Sequence, residues 1–121
     1  MSHDCTRAII DLDAVSSNFD AVCRKAKVPV MAVIKADAYG HGAVEVCRRL
    51  SDAGATHFAV ACMEEAALLR RSGIRGELLV LGITPQELYP SIAEYDVVQT
   101  VSSPAYASQL ADCGPVRVHI K

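Results

Sequence analysis

The sequence predicts an α/β fold with parallel strands, the N-terminal portion (about half) of a (β/α)8 TIM-type barrel. Three observations carry that reading. Apolar runs and amphipathic segments alternate without interruption along the chain, the order of successive βα units. The runs after the first are near-continuous rather than alternating, as in strands covered on both faces. The segment densest in reactive residues, Lys35 to Gly42, directly follows an apolar run, where barrel active-site loops lie. A doubly wound sheet shares the alternation, but no GxGxxG follows the first run, as a dinucleotide-binding sheet would want.

The elements follow in order. Ala8-Ile9-Ile10 is the first apolar run, and Asp13 is placed to cap a helix over Ala14 to about Lys27. Val15, Phe19 and Val22 recur on it at helical spacing, with Cys23 beside them. Pro29 opens the β-branched run Val30 to Ile34, a buried strand by composition, and the loop Lys35 to Gly42 comes next. Ala43 to Ala53 is a helix with Val44, Val46, Cys47 and Leu50 apolar, ended by Gly54. His57 to Cys62 is a strand, and Glu64 to Arg71 a helix ended by Ser72-Gly73. Leu78 to Leu81 is a strand closed by Gly82. Thr84 as cap and Pro85 at the first helical position start a helix to about Glu94. Asp96 to Val101 is a strand, Ser103-Pro104 starts a helix to about Ala111, and Gly114-Pro115 breaks it before the strand Val116 to Ile120. A full barrel takes about 250 residues. Residues 1–121 are therefore expected to be one piece of a barrel domain, cut where its last strand ends.

Composition narrows the function classes. At 121 residues and 51% hydrophobic, the chain has a core's worth of apolar side chains for one domain. A net charge of -2, 5% aromatics and no Trp give no reason to expect nucleic acid or an anionic membrane as partner. The cysteines, Cys5, Cys23, Cys47, Cys62 and Cys113, are odd in number and lack CxxC spacing. Thiols in a reducing cytoplasm are expected rather than a disulfide scaffold or a metal site. Met1 to Arg7 carry no apolar run of the kind a secretory leader needs, and no run reaches bilayer length.

The chemistry concentrates in Val33-Ile34-Lys35-Ala36-Asp37-Ala38-Tyr39-Gly40-His41-Gly42. An amine held at a strand end is what a Schiff base with pyridoxal 5'-phosphate requires. A hydroxyl and exposed backbone N–H groups nearby can hold a phosphate. A lysine at a strand end taken alone snorkels to solvent, and a tyrosine alone is a half-buried aromatic with a wet hydroxyl. Gly40 and Gly42 permit unusual φ. His41 is expected to orient its neighbours, and Asp37 to make a structural hydrogen bond.

The run Ala32 to Gly42 resembles the cofactor-attachment motif of the alanine racemase family. Arg7 to Ala14 followed by Asn18 is similar to that family's opening strand and first helix. Phe58-Ala59-Val60-Ala61 with Glu64-Glu65-Ala66, Leu79-Val80-Leu81-Gly82, and His119-Ile120-Lys121 resemble its later units in the same order. The resemblance implies a homodimer whose barrel binds pyridoxal 5'-phosphate and is followed by a β domain. It implies an isomerase that interconverts L- and D-alanine, supplying D-alanine for peptidoglycan, in the cytoplasm. It implies that Lys35 forms the Schiff base and is one of two catalytic bases. Tyr39 would bind the cofactor phosphate, Leu81 would pack on the cofactor ring, and Lys121 would be a candidate carboxylated lysine. No metal is implied. The second base, a tyrosine, and an arginine expected after Lys121 match nothing in residues 1–121, so this chain alone is expected to be a poor racemase or none. Alternatives are a racemase of another amino acid such as serine, and a catalytically incompetent cofactor-binding or assembly fragment.

Overall fold

The computed structural model describes residues 6–121; Cys5 and the four residues before it lie outside the described residues. Five parallel strands form one sheet: β1 (Met31–Val33), β2 (His57–Val60), β3 (Glu77–Val80), β4 (Val98–Val101) and β5 (Arg117–Ile120). Their order in the sheet is their order in the sequence. A doubly wound sheet reverses that order at a switch point, whereas a barrel adds each strand beside the last. The progressive order is the barrel's, as the sequence predicted.

Before β1 runs α1 (Leu12–Ala26), and between the strands run α2 (Lys35–Gly40), α3 (Ala43–Asp52), α4 (Met63–Arg71), α5 (Tyr89–Glu94) and α6 (Pro104–Ala111). The cap of α1 is Asp11, not Asp13: its carboxylate accepts from the Ala14 N–H at 2.9 Å. Starting one residue after Asp11 puts Leu12, Val15 and Phe19 on the stripe that packs against the core. Val22 falls on the exposed side, and Asp13 is left to pair with Arg49 at 3.0 Å. Ser103 caps α6 as expected, accepting from the Tyr106 N–H at 3.2 Å. Ala8-Ile9-Ile10 is not a strand. It has no ladder partner among the described residues, and Ile9 is 80% exposed.

The sheet's two faces differ. Phe58, Val60, Leu78 and Val80 point outward into the main core, where Val46, Leu50, Leu69 and Ile92 of the helices meet them. The opposite parity (Ala59, Leu79 and Val98, with Met31 and Leu81 against them) forms a small second cluster on the inner face. Every residue of β5 is exposed, unlike the buried strand its composition suggested, because β5 pairs on one side only. No helix among the described residues is long and apolar enough to cross a membrane.

Candidate active site

The strand register assembles a cleft at the C-terminal ends of the strands. Val33 pairs with Ala59, Ala59 with Leu79, and Leu79 with Val98. Two residues further along, the inner-face positions are Lys35, Ala61, Leu81 and Thr100, and Thr100 in turn pairs with His119. These five residues, with Leu79, Gly82 and Lys121, line a cleft of about 560 Å³. Of the four residues that the sequence analysis put forward, Lys35, Leu81 and Lys121 converge here. Tyr39 does not line the cleft and is 59% exposed.

The turn that carries Lys35 and Tyr39 was expected to be an open loop. It is α2, helical in the left-handed sense: Ala36, Asp37, Ala38 and Tyr39 have φ of 53 to 55°. Left-handed helix costs an L-residue about 1–2 kcal/mol, so the run persists only because its surroundings hold it. Glu65 Oε1 accepts from the Ala36 N–H at 2.8 Å. The Ala38 N–H donates to the Ile34 carbonyl at 2.9 Å, and the Gly42 N–H to the Asp37 carbonyl at 2.9 Å. Asp37 makes the structural bond expected of it: its Oδ1 accepts from the Ala43 N–H, the first of α3, at 2.7 Å. His41 Nδ1 lies 2.8 Å from the Ala38 carbonyl, which fixes the ring against the turn. Ala36, Ala38, His41, Gly42 and Ala43 therefore direct their N–H groups at protein acceptors, contrary to the open N–H groups read from the sequence.

The turn after β3 is built differently. Gly82 sits so close to β2 that a Cβ would stand 2.6 Å from the Ala61 carbonyl oxygen, so space requires a glycine. The fully buried Gln99 of β4 donates through Nε2 to the Gly82 carbonyl at 2.7 Å and accepts at Oε1 from the Thr84 hydroxyl at 2.6 Å. The Tyr106 hydroxyl accepts from the Thr84 N–H at 2.9 Å. Thr84 is thus a buried network member, not the helix cap the sequence suggested. A 3-10 turn over Gln86–Leu88 leads into α5 instead.

The cleft's donor set defines what it can take. Among the described residues, Lys35, His119 and Lys121 line it and no Asp or Glu side chain does. Thr100 is 6% exposed, and its Oγ1 has no hydrogen-bond partner among the described residues. A buried hydroxyl without a partner is costly and needs an account. An apolar wall of Leu79 and Leu81, an amine, an unpartnered hydroxyl and basic side chains fit a flat, acceptor-rich anion bearing an aldehyde. Pyridoxal 5'-phosphate has that chemistry. Burial pushes the Cys62 thiol, next to Ala61 in the chain, above its ordinary value, so it is no ready nucleophile. Sequence reasoning missed Thr100, Gln99 and Glu65. A polar pair inside the apolar run 96–101 was a signal for the first two. Glu65 carried none, because its partner Ala36 lies 29 residues away.

The family described as the alanine racemase N-terminal domain matches residues 10–121. Alanine racemase 1 of Clostridium acetobutylicum is 43% identical over 119 residues, covering 93% of this chain and 31% of its own length. The crystal structure of alanine racemase from E. faecalis superimposes with a TM-score of 0.85 at 32% identity, over 91% of this chain and 32% of that one. A histidine racemase from Leuconostoc mesenteroides superimposes with a TM-score of 0.81 at 27% identity, over 92% of this chain and 31% of that one. The chain spans about a third of the length of the relatives it matches. A match from residue 10 to residue 121, on strands laid down in the barrel's order, leaves one assignment: the chain belongs to the alanine racemase family, in the part that corresponds to the N-terminal domain.

Proposed function

We propose that residues 1–121 are the cofactor-binding N-terminal portion of an amino-acid racemase that interconverts L- and D-alanine with pyridoxal 5'-phosphate. The observation that carries this reading is the convergence of Lys35 with Leu81 and Lys121 on one cleft that no Asp or Glu side chain among the described residues lines. The cofactor, when bound, supplies an electron sink that makes the hydrogen on the substrate α-carbon acidic. Lys35 is the residue that would hold the cofactor through Nζ, and its amine, when free, would take or return the α-carbon proton on one face. A base from outside this chain serves the other face. Leu81 holds the ring by apolar contact. Thr100 presents a hydrogen-bond donor to an acceptor oxygen, as does Lys121 as the amine; carboxylated, Lys121 would instead accept and orient a donor. Tyr39, four residues after Lys35 and exposed, would bind the phosphate through its hydroxyl. The complete enzyme works as a cytoplasmic homodimer and supplies D-alanine for peptidoglycan.

The test is borohydride reduction of the intact protein mixed with pyridoxal 5'-phosphate, followed by peptide mapping. The label is expected on Lys35, and Lys35→Ala is expected to lose both the label and racemisation. Labelling elsewhere, or racemisation that survives Lys35→Ala, overturns the reading. The similarity to a histidine racemase supports a second reading, in which the same scaffold serves another amino acid. Rates on alanine, serine and histidine decide it, with alanine expected to be fastest.

A further inference from the structure

Lys35 is bracketed by two backbone hydrogen bonds of different origin. On its N-terminal side, the Ile34 N–H donates to the Ala59 carbonyl at 2.8 Å. On its C-terminal side, no strand carbonyl receives the Ala36 N–H. Glu65 Oε1 receives it instead, at 2.8 Å, from the first turn of α4. The other oxygen of the same carboxylate, Oε2, accepts from the Ala61 N–H, also at 2.8 Å. Ala61 lines the cleft beside Lys35, at the end of the neighbouring strand. One side chain thus ties the ends of β1 and β2 together where their backbone pairing stops.

We infer that Glu65 is a positioning residue for Lys35, acting through the Ala36 N–H. Three features single it out. Ala36 is the first of the four left-handed residues, so the bond fixes the point at which the backbone leaves the strand conformation. Both carboxylate oxygens are committed to backbone donors, and neither meets a cation among the described residues. The site also needs two acceptors at once. Glutamine would fill the same volume with one acceptor and one donor, and its NH2 would face an N–H. A carboxylate accepting from backbone N–H groups is the stronger bond, as a strained turn demands. The consequence for Lys35 is a backbone held on both sides, so that its Nζ searches the cleft from a fixed origin.

This inference rests on the reading of Lys35 as the attachment site, and the experiment separates the two. The intact protein and its Glu65→Gln variant are mixed with pyridoxal 5'-phosphate and quenched with borohydride at intervals. The rate at which label appears on Lys35 is compared with kcat, KM and the melting temperature. Glu65→Gln is expected to slow labelling and lower kcat by about tenfold, less than the roughly 100-fold that misplacing a reacting group by about 1 Å can cost. KM is expected to stay within about twofold, since substrate contacts are untouched. Equal labelling rates and kcat in the two proteins overturn the inference, as does a fall in melting temperature alone. No label on Lys35 in the unaltered protein overturns the underlying reading instead. Should the variant not fold, amide hydrogen exchange of the unaltered protein decides. The Ala36 and Ala61 amides are expected to exchange as slowly as the Ile34 amide, and exchange at the rate of open amides refutes the role.

Discussion

The turn after β1 runs left-handed through four residues and is held by the carboxylates of Glu65 and Asp37, whereas the turn after β3 is held by the buried amide of Gln99. Both turns flank the same cleft. At the first, water reaches the side chains: Asp37, Tyr39 and His41 are all exposed. Neutral acceptors there would compete poorly with solvent, and ionised ones hold the backbone more strongly. At the second, Gln99, Thr84 and Tyr106 are buried, and neutral hydrogen bonds suffice because the alternative is an unsatisfied group. The half of the cleft that presents reactive side chains is therefore strained and charge-held, and the half that supplies an apolar wall is relaxed and buried.

The two halves are expected to fail by different amounts. The largest loss comes from Gln99→Leu, which strands the Thr84 hydroxyl and the Gly82 carbonyl in the interior. A destabilisation of about 3 kcal/mol in urea unfolding of the intact protein is expected; a loss below about 1 kcal/mol would show that the network is incidental. Gly42→Ala comes next. A methyl there meets nothing within 4 Å, so its cost is conformational, at φ +90°, and about 2 kcal/mol is expected. Asp37→Ala, which releases the Ala43 N–H, is expected to cost about 1 kcal/mol. Asp37→Asn, which keeps the acceptor, should restore most of that; equal losses in both variants would move the explanation from hydrogen bonding to charge.

The smallest effect tests the core that α3 packs into. Burial pushes the Cys47 thiol of α3 up from 9.0 to about 12. The folded protein keeps that proton while the unfolded chain loses it near the ordinary value, so stability falls as pH rises and is unaffected at neutral pH. Between pH 8 and 9 the loss is about 0.4 kcal/mol, steepening above that range. Unfolding at those two pH values, repeated on Cys47→Ala, checks it: the alanine variant should lose that share of the slope.

Much of this was legible in the sequence. The strands from Met31 to Ile120 announced themselves as apolar runs, and Ser103-Pro104 marked a helix start that the structure keeps. Lys35 was visible because it ends such a run. What stayed hidden depended on long-range geometry. Asp11 and Asp13 are equivalent caps locally, and the core decides between them by the stripe it needs. Thr84 has a cap's chemistry, yet β4 supplies a buried partner in Gln99. The left-handed turn has no glycine at residues 36–39 to betray it, since its conformation is imposed by Glu65 and Asp37. Thr100 was legible as a polar residue in an apolar run, but only strand parity turns it into the cleft.

The progressive strand order also bears on how the chain acquires its shape. Each strand pairs with the one made just before it, at separations of 26, 20, 19 and 19 residues, read from Met31 with His57, His57 with Glu77, Leu79 with Val98 and Val98 with Arg117. Parallel sheets are slow to form when their pairings are distant, because loop closure precedes any gain from contact. Here every closure is short and none waits for a later segment. The sheet can grow from β1 onward as the polypeptide leaves the ribosome, and the lysine-bearing turn is fixed once α4 brings Glu65 to the Ala36 N–H.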